Sequence, residues 1–240
     1  MNQDLALATL IDDLVAANRS LAEHGGVDGY GHVSVRVPGT TDRYLLSRSL
    51  APASVTAADI MEYDLDSNPV GSDTRAMYSE RFIHGEIYRL RPDVQAVVHN
   101  HSPSVIPFGV TAVPLKPIYH MCGFVGEGVP IFEIRASAGA ATDMLVRSRP
   151  LGRALAEVLD IKPAALMRGH GAVVVAASLP LVVGRSIYLE MNARLQMQAM
   201  QIAGPSGHIN YLEPDEARAA ASFNDYARSW EMWRKNALGQ

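Results

Sequence analysis

Apolar residues recur along the chain with two periods, and the switches between them mark the elements. Over residues 3–23, Leu5, Leu7, Ala8, Leu10, Ile11, Leu14 and Val15 return at helical spacing. Asp4 stands where a cap would, and Gly25-Gly26 stops the run. The period then falls to two. Val33, Val35 and Val37 alternate with polar residues, as in a strand half open to water, and Tyr44–Ser47 reads as the returning strand. Val55–Ile60 is expected as a short helix capped by Thr56, and Met61–Asp66 as a strand. From Ser79 to Arg89, Phe82, Ile83, Ile87 and Tyr88 form one apolar side. That spacing predicts a helix with Glu80 in its first turn, where a carboxylate favours the helix dipole.

A continuous apolar run, Ala96-Val97-Val98, opens a buried strand that leads into His99-Asn100-His101. A short helix is expected from Ser102 to about Phe108, an extended segment over Val113–Met121 and a strand over Val129–Ile134. Arg149-Pro150 breaks the stretch from Ala140 to Leu159 into the end of one helix and a second helix from Leu151. Ala164–Ala176 reads as two strands about a tight turn at Gly169-His170-Gly171. A long helix follows over Leu179–Ala203, and one last helix from Glu213 to about Lys235. Helices and strands intermix and the strand pairs have short turns. This favours an α/β fold on a mainly antiparallel sheet, expected as one domain over residues 1–240.

Composition narrows the function classes. With 240 residues, 48% of them hydrophobic, the chain can bury a core unaided. Its 21 basic and 25 acidic residues are mixed and no basic run appears, which argues against nucleic acid as a partner. The most apolar window, Ala172 to Val183, is too short for a bilayer and contains Ser178 and Pro180, so no membrane role is expected. The start lacks the basic and apolar regions of a signal peptide. The single cysteine, Cys122, suits a reducing cytoplasm. No glycine fingerprint for a nucleotide opens any helix.

Histidine supplies the candidate chemistry. His99 and His101 sit two apart, which on a strand puts both imidazoles on one face, about 6.5–7 Å apart along the backbone. Such a pair can grip one divalent metal; equally, it can be a strand end facing water. Glu80 and His170 complete a set of three imidazoles and a carboxylate. That set fits a divalent transition metal with room for substrate, acting as a Lewis acid. Spacing does not choose between ligand and acid/base roles for Glu80. His84, one helical turn beyond Glu80, reads as support or packing.

The runs Ser79-Glu80-Arg81-Phe82-Ile83-His84, Ile87 to Ser102 and Met167-Arg168-Gly169-His170-Gly171 resemble the core motif of the class II aldolase/adducin family. The resemblance spans most of the chain, up to about Ala203. It implies a three-layer α/β/α fold around a mainly antiparallel sheet, and a homotetramer with active sites between subunits. It also implies one divalent metal per subunit (Zn, Mn, Fe or Co) on His99, His101 and His170, with Glu80 as acid/base or fourth ligand. Where sugar-phosphate aldolases of the family hold phosphate, this chain has Gly31-His32-Val33-Ser34, Ser47-Arg48-Ser49 and Tyr78-Ser79-Glu80. His32, Arg48 and Tyr78 suit a planar small-molecule carboxylate instead, with Arg48 as a bidentate clamp. This combination is similar to the family's decarboxylases of hydroxylated aromatic or pyridine dicarboxylates. Glu80 is then the first candidate proton donor. His120, which stands where the aldolases carry a tyrosine acid, is the second. Aldol cleavage of a non-phosphorylated hydroxy-keto substrate is the alternative, and a non-catalytic adducin-like module is a further one.

Overall fold

The structure is a computed structural model that describes residues 3–223 and 225–240, without the side chains of Gln3 and Asp4, so the expected Asp4 cap lies outside the described residues. In chain order the elements are α1 (Gln3–Glu23), β1 (His32–Arg36), β2 (Arg43–Ser47), β3 (Ile60–Asp64), α2 (Phe82–Leu90), β4 (Ala96–Asn100), α3 (Ile106–Val110), β5 (Ile131–Phe132), α4 (Arg135–Ala138), α5 (Arg149–Leu159), β6 (Ala164–Met167), β7 (Gly171–Ala176), α6 (Leu179–Ala203), α7 (Pro214–Phe223) and α8 (Ala227–Leu238). The seven strands form one sheet in the order β3-β2-β1-β4-β7-β6-β5. All pairings are antiparallel except β5 with β6, as the α/β expectation requires.

Alternation along the strands sorts side chains into two cores. Val33, Val35, Ala96, Val98, Leu166, Ala172 and Val174 pack with α1, α6 and α8 on one face. Leu46, Val97, Ala165, Met167, Val173 and Val175 pack with α2 and α5 on the other. Helices thus cover both faces, giving the three layers. Because both faces are covered, β1 is not half open to water: all five of its residues are buried. Its polar residues turn towards α2 and find partners there. Arg36 donates to the Val94 and Tyr88 carbonyls at 3.2 and 3.0 Å, and Ser34 lies 2.8 Å from the Tyr88 hydroxyl.

Several expected elements change form. Val55–Ile60 is no helix. Two 3-10 turns, Pro52–Ser54 and Ala57–Asp59, take its place, although Thr56 does form a capping box with Asp59. The helix expected from Ser79 begins only at Phe82, so Glu80 lies in the turn before it rather than in its first turn. Arg81 pins that turn by donating to the Ser67 and Tyr78 carbonyls at 2.8 and 3.1 Å. Residues 140–148 are not helical. The tail forms two helices, not one. Tyr226 ahead of α8 takes a left-handed φ of 55°, and its hydroxyl donates to the Met121 carbonyl at 2.8 Å, which redirects the chain. No helix among the described residues is long and apolar enough to cross a membrane.

Candidate functional site

β4 sits between β1 and β7, with His99 opposite His32 on one side and Val173 on the other. The pleat turns His99 to the α2 side, where it is fully buried, and His101 follows just past the strand end. His170 comes from the β6–β7 turn. Gly169 there adopts a φ of +63°, which lets the chain reverse tightly. A Cβ on Gly171 would run into the Asn100 carbonyl, so only glycine lets this turn lie against the end of β4. That contact sets His170 beside His101.

One ligand atom from each of Glu80, His99, His101 and His170 lies within 4.8 Å of all the others. His101 Nε2 and His170 Nε2 are 3.0 Å apart. Glu80 Oε2 is 3.4 Å from His170 Nε2 and 3.5 Å from His99 Nε2. Bonds of about 2.0–2.1 Å to one metal place neighbouring ligand atoms about 3.0–3.4 Å apart, and these three contacts, at 3.0 to 3.5 Å, come close to that. The far nitrogen of each ring is anchored. His99 Nδ1 lies 3.3 Å from the Ala172 carbonyl, His170 Nδ1 3.0 Å from the Met144 carbonyl and His101 Nδ1 3.1 Å from the Asp28 carboxylate. Three Nδ1 contacts to oxygen leave three Nε2 atoms converging, as metal-binding histidines are commonly oriented. His99 Nε2 is buried without a hydrogen-bond partner. A divalent ion would satisfy it, so the residues fit the metal that the sequence implies.

The electrostatics differ between the groups: burial opposes charge on His170, yet Glu80 and the Met144 carbonyl raise its pKa above the usual imidazole value. Burial opposes charge on Glu80, but His99 and His170 outweigh it and hold the carboxyl far below its ordinary range. Its Oε1 accepts from the Val146 N–H at 2.8 Å. Burial keeps His99 below the usual imidazole value despite Glu80, which favours the neutral ring a metal needs. Burial also opposes charge on Asp28. The Tyr30 and Gly31 N–H groups and His101 nevertheless hold its carboxyl below normal. Asp28→Asn keeps the turn but removes the charge behind His101. We expect metal affinity to fall about tenfold, measured by competition with a chromogenic chelator.

The cluster opens into a cleft of about 740 Å³, lined by Tyr30, His32, Ser49, Tyr78, Ser79, Glu80, His101 and Leu145 among others. His32 and Tyr78 form one wall, their ring centres 4.5 Å apart. The Tyr78 hydroxyl donates to the Leu50 carbonyl at 2.6 Å and lies 3.2 Å from Ser47 Oγ, so buried Ser47 supports the wall from behind. Ser49 and Ser79 stand exposed on the lining. Arg48 is not part of the lining. Its Nε is bound to Asp59 at 2.6 Å, because the carboxylate of the capping box draws it away. His120 is exposed at the head of the 3-10 segment His120–Val125, also outside this chain's cleft. Asp28, Met144, Val146 and Tyr88 were absent from the expected site, whereas His84 was expected as support or packing. Asp28 had a sequence signal, a turn-type Asp before Gly29-Tyr30-Gly31.

The model of the class II aldolase and adducin N-terminal domain matches residues 12–197. The decarboxylase tropJ of Talaromyces stipitatus is 38% identical over 234 residues, covering 89% of this chain and 88% of that protein. The 3,4-dihydroxyphthalate decarboxylase of Arthrobacter keyseri is 32% identical over 206 residues, covering 80% and 79%. Among solved structures, L-fuculose 1-phosphate aldolase from Glaciozyma antarctica superposes with a TM-score of 0.81 at 21% identity, covering 100% of this chain and 93% of that one, which shows the shared fold. The fold, the His99-x-His101 and Met167-Arg168-Gly169-His170-Gly171 motifs and these matches agree: the chain belongs to the class II aldolase and adducin family.

Proposed function

We propose that the protein is a metal-dependent lyase that decarboxylates a hydroxylated aromatic or pyridine carboxylate. The observation that carries this reading is the cleft itself. Three converging imidazoles and a carboxylate stand beside a wall of His32 and Tyr78, at positions where the sugar-phosphate aldolases resembled by the sequence bind phosphate. The two decarboxylase relatives, at 38% and 32% identity, support the same choice over aldol cleavage. A divalent metal on His99, His101 and His170, with Glu80 beside it, would supply a Lewis acid for a substrate oxygen.

The protein's own groups do the rest. Tyr78 offers a flat face to an aromatic ring, and Ser49 and Ser79 offer hydroxyls to its polar substituents. Glu80 rests ionised, so it enters the reaction as a proton acceptor. It takes the ring hydroxyl proton at Oε2 and returns it to the ring carbon that bears the carboxylate. The bond from that carbon to the carboxylate then breaks, its electron pair restores the aromatic ring, and CO2 leaves. His120 is proposed to serve the cleft of a neighbouring copy in a homotetramer, as a further proton donor.

The test is direct. Metal-loaded protein incubated with a dihydroxyphthalate, or with a hydroxypyridine dicarboxylate, is expected to release CO2, and light scattering to give the mass of four chains. Pyruvate or an aldehyde from a hydroxy-keto acid, with no CO2 from either aromatic acid, would overturn the decarboxylase reading.

A further inference from the structure

A second cavity, of about 380 Å³, lies at the end of the sheet away from the metal cluster. It sits between the β7–α6 junction, α7 and the 3-10 segment His120–Val125. The two sites share strands but not ends. Asn100 pairs with Ala172 beside the histidines, whereas Ala96 pairs with Ala176, which lines the cavity. Four positions of strand, about 13 Å, separate the two pairs.

Three guanidiniums line this cavity, and they are not equivalent. Arg91 is fully engaged. Its Nε and Nη2 donate to Asp93 at 2.9 and 2.8 Å, and its Nη1 donates to the Asp160 and Lys162 carbonyls. Arg218 is ion-paired with Asp215. Arg185, half-buried on α6, has no such partner. Its Nη1 donates to the Val175 carbonyl at 2.7 Å, and its guanidinium carbon stands 5.6 Å from the centre of the Phe124 ring. No carboxylate among the described residues pairs with it. A guanidinium has five N–H donors, so most of those on Arg185 find no protein acceptor. Burial works against its charge, Tyr226 offsets this only in part, and the like charge of Arg91 adds to the cost.

We propose that this cavity is a second binding site, which takes a small monocarboxylate through Arg185. Charge and shape both point to that class. One uncompensated guanidinium calls for one negative charge, and its planar fork matches a carboxylate. The Arg91–Asp93 and Arg218–Asp215 pairs leave no further cation for a second charge, and Glu127 on the lining opposes one. A dicarboxylate or a phosphate dianion is therefore disfavoured. Phe124, Ile161, Leu181 and Pro214 supply apolar surface for the body of the acid, and the volume holds a single aromatic ring. Nothing in this site depends on the reaction proposed above.

Crystals of the zinc-loaded protein soaked in para-bromobenzoate locate the acid by the anomalous signal of its bromine. The bromine is expected in this cavity, with the carboxylate on Arg185. Bromine in the metal cleft alone, or at neither place, overturns the proposal. In solution, calorimetric titration with para-bromobenzoate is expected to show a binding event that survives in His101→Ala, which removes a metal ligand at the far end of the sheet. The same event is expected to weaken at least about tenfold in Arg185→Gln, where an amide N–H donor remains but the charge is gone. Arg185→Gln that binds like the wild type overturns the proposal. So does inorganic phosphate or neutral para-bromobenzamide that competes for the cavity as tightly as the acid. Metal content and CO2 release of Arg185→Gln are expected to match the wild type, and failure of the aromatic-acid reaction would leave the binding result untouched.

Discussion

His101→Ala is expected to strip the metal from the protein and to lower CO2 release by at least about a thousandfold. His101 is the ligand of choice for this substitution because it lies past the end of β4, with its side chain 20% exposed, whereas His99 is packed inside the sheet. Losing it removes one corner of the cluster and leaves the Asp28 carboxylate without its imidazole. Lewis-acid stabilisation is worth several kcal/mol, and each ~1.4 kcal/mol is a factor of ten in rate. Metal content by mass spectrometry and CO2 release check both halves. Wild-type protein treated with a chelator should lose activity to the same extent and recover when a divalent ion is returned, while the variant should not recover. A variant with wild-type metal content and rate would show that the four residues are not a metal site.

Glu80→Gln separates binding from proton transfer. The amide keeps the size of the side chain and an oxygen for the Val146 N–H, but it cannot hold or pass a proton. Three histidines remain, so the protein is expected to retain its metal. The rate of CO2 release is expected to fall by about 10²- to 10⁴-fold, the usual worth of a positioned acid or base. Loss of metal together with activity would make Glu80 chiefly a ligand. Unchanged turnover would remove it from the reaction.

Much of this site was readable from spacing, for identifiable reasons. His99 and His101 could be placed on one face because a strand repeats every two residues and the Ala96-Val97-Val98 run made the strand plain. His170 lies far along the chain and reads as a turn residue alone; its ligand type suggested it for the set, and the family motif joined it to the pair. Glu80 lies in the cluster but was set one turn too deep in a helix, since Arg81 holds its segment in a turn through contacts with Ser67 and Tyr78 that spacing does not reveal. Arg48 stands apart from the lining. Its chemistry suited a carboxylate clamp, yet Asp59, eleven positions on, already holds it. The buried Ser34–Tyr88 contact was hidden because alternation in β1 reads the same whether its polar face meets water or a covering helix.

The position of β4 also bears on how the protein is made. One neighbour, β1, precedes it in the chain, but the other, β7, comes much later, with α3, α4, α5 and two strands in between. During synthesis β4 can dock on β1 while its far side stays open. Val97 and Val98 then present unpaired backbone and apolar side chains until β7 leaves the ribosome. Newly made chains therefore pass through a stage in which the future metal site lies on a sticky sheet edge.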